Sequence, residues 1–192
     1  MNHGQLKTSG IPSLDLVIGG GYQAGSRIIV YGSPLSGIDS LASRFADANG
    51  GIHLILDEEA QDGMVPAAGL SIEDLAFDIR GDSAIIDSLS TVILNRGIDQ
   101  AVWLLTIATQ VFRSQGGCLL CTMYEGLHPL YEEIRIFRQA DVVFHLRSEI
   151  HRSQIERSLQ IAKYRGMRIP ERMIPFIITG DGIELSTTSR VV

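Results

Sequence analysis

The chain has 192 residues, enough for one domain with a sizeable core and too few for two large ones. Its 45% hydrophobic and 20% charged residues are the balance of an ordinary globular protein and exclude wholesale disorder. A formal net charge of -6 excludes a general electrostatic footprint for nucleic acid, which needs a basic surface.

Residues Met1 to Gly10 contain no apolar signal core, and no apolar run approaches the ~18 residues of a membrane span. A cytoplasmic protein without a membrane partner is therefore expected. Strands are predicted at 27–31, 52–56, 83–86, 118–122 and 142–146, nearly all continuous Ile/Val/Leu runs of the kind buried on both faces of a parallel sheet. Helices are predicted between them at 38–48, 60–68, 99–114 and 130–138. The two cysteines, Cys118 and Cys121, fall on one strand, where positions three apart face opposite sides, so they read as core thiols and not as a metal or redox pair. Residues 154–164 alternate with period two, and 173–179 and 183–186 flank a Gly180-Asp181-Gly182 turn, which predicts antiparallel strands at one edge. The whole chain, 1–192, reads as one α/β domain: a mostly parallel twisted sheet, helices on both faces, antiparallel strands at the C-terminal edge.

The most informative segment is Gly32-Ser33-Pro34-Leu35-Ser36-Gly37-Ile38-Asp39-Ser40, lying between a predicted buried strand and a predicted helix. That is the context in which G-x-x-x-x-G-K-[ST] cradles phosphates, but Ile38 stands where the motif has Lys and Asp39 where it has Ser/Thr. A second landmark is Ala84-Ile85-Ile86-Asp87, an apolar strand ending in a carboxylate, the arrangement that places a Walker B aspartate beside Mg²⁺.

From Ser9-Gly10-Ile11-Pro12-Ser13-Leu14-Asp15 through Gly25-Ser26-Arg27-Ile28 the chain resembles the opening of the KaiC-like branch of the RecA superfamily of P-loop ATPases. Lys163-Tyr164-Arg165-Gly166, Pro175-Phe176-Ile177-Ile178 and Gly182-Ile183 are similar to the family's closing segments, in the same order. The resemblance implies a RecA-like fold and a role for each matching residue. Glu58 and Glu59 match paired glutamates that activate water, and Asp87 matches the Walker B carboxylate. Thr122 matches a polar sensor of the γ-phosphate, and Lys163 and Arg165 match basic residues that reach a neighbouring subunit's nucleotide in a ring. Read without the family, Asp57-Glu58-Glu59 is equally a solvated acidic turn or favourable charge at a helix N-terminus.

The departures weaken the chemistry. Loss of the lysine removes a charge-assisted contact of about 1.5–3 kcal/mol. A carboxylate about 4 Å from a phosphate oxygen costs about 4 kcal/mol at an effective dielectric near 20, roughly a thousandfold in affinity. Leu35 adds a side chain where the family usually has glycine, and Asp39 is expected to cap the helix and compete with phosphate. Two functions stay open. One is an inactivated homologue acting as a regulatory or assembly module, for instance in signal transduction, with no cofactor, through self-association or active KaiC-like paralogues. The other is a weak ATPase binding Mg-ATP, with Asp39 and Asp87 on the metal. Strand exchange on DNA fits neither the acidic charge nor the short connection after Thr122.

Overall fold

The computed structural model describes residues 6–79, 81–152, 154–180 and 182–186. In chain order the elements are α1 (Pro12–Val17), β1 (Arg27–Gly32), α2 (Ile38–Asn49), β2 (Ile52–Ile55), β3 (Val65–Pro66), α3 (Ile72–Asp78), β4 (Ser83–Asp87), α4 (Leu89–Arg96), α5 (Ile98–Gln115), β5 (Cys118–Tyr124), α6 (Leu130–Gln139), β6 (Val142–His151), β7 (Gln154–Tyr164), β8 (Ile174–Thr179) and β9 (Gly182–Leu185). The strands form one sheet in the order β3-β2-β4-β5-β1-β6-β7-β8-β9. Pairing is parallel from β3 to β6 and antiparallel from β6 to β9.

Both faces of the sheet are covered, so the central strands are apolar on both sides. Ile29 and Tyr31 of β1 join Leu54, Ile86, Leu119 and Cys121 against α3 to α6. Ile28 and Val30 join Ile85, Cys118 and Leu120 against α1 and α2. The cysteines thus enter different cores, as strand alternation requires, and burial pushes both thiols up, Cys118 to about 11.

The predicted antiparallel edge is present, with β7 spanning the predicted residues. The helix predicted at 60–68 is absent: that segment is a bent, mostly exposed loop whose Val65–Pro66 pairs with β2. Gly63 and Pro66 break the helical pattern there. The helix of this crossover is instead α3, set by a capping box in which Ser71 accepts from the Asp74 amide and Asp74 accepts from the Ser71 amide. Strand β6 runs five residues past the predicted end at 146, because its polar second half leaves the sheet core and continues as a ribbon with β7.

Candidate functional site

In a parallel sheet flanked by helices, ligands bind beyond the carboxyl ends of the strands. At that end lie the loop after β1, Asp57 and Glu58 after β2, Asp87 closing β4, and Thr122 and Tyr124 near the end of β5.

The loop after β1 turns sharply. The Ser36 amide and hydroxyl both donate to the Ser33 carbonyl, at 3.0 and 2.6 Å, while the Ser36 side chain is fully buried. Gly32 permits this closure, since a Cβ there would stand 2.5 Å from both the Leu146 carbonyl oxygen and Ser36 Oγ. Gly37, at φ 97°, is the N-cap of α2, and a Cβ on it would meet Ile178 Cδ1 at 2.8 Å. Ile38 points into the core with Leu41, Ala42 and Phe45 and is fully buried, away from the loop's concave side. Pro34 and Leu35 form the exposed crest, Leu35 with 79% of its surface in solvent.

The expectation that Asp39 caps α2 is corrected. The cap is Gly37 and no side chain caps the helix, because Asp39 is its second residue, past the position from which a side-chain oxygen accepts the first amides. Asp39 is instead an exposed residue within electrostatic reach of other carboxylates. Part of it meets solvent, yet its carboxyl is raised from 3.8 to about 6. Water lost to the surrounding chain comes first among the causes, then repulsion from Asp87, Glu58 and Asp57.

Asp87 accepts a 2.6 Å hydrogen bond from the Thr122 hydroxyl, so these two residues, read from sequence as metal ligand and sensor, are bound to each other. Its other oxygen lies 3.7 Å from His53 Nε2, a buried ring nitrogen without a hydrogen bond. Glu58 and Glu59 are exposed on the turn after β2, while Asp57 accepts from the Thr91 hydroxyl at 2.6 Å and the Ser88 hydroxyl at 3.1 Å at the start of α4. The favourable helix-end charge weighed for the acidic turn is therefore realised by Asp57. Tyr124 belongs to the same group: burial, then Asp87, Asp39, Asp57 and Glu58, raises its phenol well above the ordinary range. Sequence reading left out His53 and Tyr124. Sheet order β2-β4-β5-β1 brings them in, and the readable signal was a polar or phenolic residue inside otherwise aliphatic strands.

Lys163 and Arg165 lie at the opposite end of the sheet, where β7 meets the start of β6. Lys163 Nζ donates to the Phe137 carbonyl at 2.7 Å and the Arg138 carbonyl at 3.2 Å, closing the end of α6. Arg165 contacts Asp141 at 2.9 Å, and Arg27 holds the other Asp141 oxygen at 2.9 Å. Burial opposes the Asp141 charge, but hydrogen bonds and charge from Arg27, with Arg165 behind, bring its carboxyl below the ordinary value.

Mg-ATP, the ligand this fold implies, needs a cation for its phosphates, a metal held by protein oxygens and an open backbone cradle. The charges that act on Asp39 are all carboxylates, Ile38 is in the core, and the cradle turn is closed by Ser36. Among the described residues, no three His, Cys, Asp or Glu side chains are grouped to hold a metal ion. These residues do not fit the ligand.

Comparison with known proteins places the fold. The family model described as "ATPase: KaiC" matches residues 57–190, a stretch that contains Glu58, Asp87, Thr122, Lys163 and Arg165 and begins after the loop at Gly32. The chain belongs to the KaiC family of ATPases. Among solved structures it is similar to a KaiC-like protein of the hyperthermophilic archaeon Pyrococcus horikoshii OT3, with TM-score 0.77 and 20% identity over 95% of this chain and 99% of that one. It is likewise similar to the flagellar accessory protein FlaH of Methanocaldococcus jannaschii, with TM-score 0.78 and 16% identity over 96% of this chain and 100% of that one. No curated protein matches the chain. Among the described residues, no helix is long and apolar enough to cross a membrane.

Proposed function

We propose that this chain is a non-catalytic member of the KaiC family, a regulatory or assembly module that keeps the ATPase scaffold and does not turn over nucleotide. One observation carries the reading. Asp39 sits where the motif needs a metal-binding hydroxyl, and lost hydration first, then repulsion from Asp87, Glu58 and Asp57, raise it to about 6. A triphosphate brought up to this group of carboxyls meets like charge where the motif supplies a cation. The packing of Ile38 into the core supports the same reading, since no cation at that position reaches the phosphates. Likeness to a flagellar accessory protein agrees with an assembly role.

The test is thermal unfolding with and without Mg-ATP, together with phosphate release. A ligand at about a hundred times its Kd would add about 2.7 kcal/mol. We expect no shift and no phosphate. An upward shift that disappears in Asp87→Ala, with phosphate released by the wild type, would establish the weak-ATPase alternative instead.

A further inference from the structure

The ribbon of β6 and β7 stands clear of the rest of the sheet. Pairing of β1 with β6 stops at Gly32↔Leu146, and pairing of β7 with β8 stops at Arg157↔Phe176. The two strands continue together through Glu149↔Glu156, Ile150↔Ile155 and His151↔Gln154. Those three pairs have no further strand on either side and extend the ribbon by about 10 Å. Directly opposed residues share a face, so Ile150 and Ile155 form one apolar pair, 79% and 56% exposed. Arg152 turns the tip in a left-handed conformation at φ 46°, is exposed, and meets no carboxylate among the described residues.

The ribbon leaves the same end of the sheet that carries the candidate site. That end has the opposite character. It carries the exposed carboxylates Asp39, Asp57 and Glu58 beside Asp87, and buried His53, 5% exposed, has its Nε2 3.7 Å from Asp87 and makes no hydrogen bond. Its rim carries exposed Leu35 and Leu127 on the loops after β1 and β5. A guanidinium, which only donates, would meet carboxylates there and an imidazole nitrogen able to accept in one tautomer. The chain therefore owns both halves of a complementary pair, a basic tip flanked by isoleucines and an exposed acidic patch flanked by leucines. Self-complementarity of this kind is what a two-fold interface requires.

We propose that the chain forms a two-fold dimer through this end. The ribbon of each copy lays Ile150 and Ile155 on the exposed leucines and sets Arg152 against the carboxylate patch of the other. The inference rests on the patch being free of nucleotide, and it names what covers it. Arg152 then takes the place of the cation the loop lacks. The arrangement also differs from a ring, in which the Lys163 end of one subunit would face the next subunit's loop.

Sedimentation equilibrium on the nucleotide-free full chain tests the interface separately from nucleotide binding. The wild type is expected to show the dimer mass. Arg152→Glu and Asp39→Lys should each weaken the dimer at least about tenfold, and the double variant carrying both should recover most of that loss. Circular dichroism checks that each exposed substitution leaves the fold intact. A wild type monomeric at about 100 μM, a dimer indifferent to both single variants, a pair of losses that merely add in the double variant, or a ring-sized mass lost with Arg165→Ala would each overturn the proposal.

Discussion

The two ends of the sheet treat charge in opposite ways. At the end where β1 and β6 begin, Asp141 is gripped by Arg27 and Arg165, each at 2.9 Å, and Lys163 is spent on two carbonyls of α6. There Asp141 has its cations placed by neighbouring strands, and Lys163 has its acceptors placed by α6. At the end where the strands finish, Asp39, Asp57, Glu58 and Asp87 act on one another electrostatically with only hydroxyl donors and a histidine that makes no hydrogen bond for company. Folding alone explains the first end. The second stores repulsion, and a fold tolerates that where a site, past or present, sets the residues.

Substitutions can break or sharpen this contrast. The largest effect is expected at the paired end. Asp141→Ala strands the Arg27 guanidinium, whose side chain is 8% exposed, and should cost about 3–5 kcal/mol in urea unfolding. The pH dependence has a definite sign. A carboxyl whose folded value lies below 3.8 contributes stability that is present above 3.8 and is lost as pH falls through the lower folded value, so the variant's deficit should shrink only in strong acid. Next comes Gly37→Ala at the loop. A left-handed backbone and a Cβ 2.8 Å from Ile178 should cost about 1–2 kcal/mol, read from the same unfolding curves. Lys163→Met removes the two carbonyl contacts at the end of α6 and should cost about 1 kcal/mol.

The smallest change has the opposite sign and is the most diagnostic. Asp39→Asn should stabilise the protein at pH 8 by no more than about 1 kcal/mol, because solvent screens a partly exposed group. A carboxyl raised from 3.8 to about 6 destabilises the folded state fully above pH 6, less between, and not below 3.8. The gain should therefore vanish below pH 4, and comparing unfolding midpoints at pH 8 and 3.5 checks it.

The fold was legible wherever burial was complete. The central strands are unbroken aliphatic runs because both faces are covered, and β7 was readable from its alternation. The short helices α1, α3 and α4 escaped because six to eight residues show too little periodicity, although Ser71-x-x-Asp74 and Ser88-x-x-Thr91 signalled two starts. The free half of β6 escaped because Arg147-Ser148-Glu149-Ile150-His151 has no core face to pattern it. At the site, Asp87 and Thr122 were legible as strand-end polar residues, but their mutual hydrogen bond was not, since β4 and β5 meet across a helical crossover. Nor did the sequence reveal that Ile38 turns inward, which only the packing of α2 decides.

Calorimetric titration of Mg-ATP into the wild type and into Asp39→Thr, side by side at pH 7.5, tests the central claim most directly. The account predicts no binding to the wild type up to about 1 mM and a gain of at least about tenfold in the variant, once the carboxylate is gone. Micromolar binding to the wild type, left unchanged by the substitution, would contradict it.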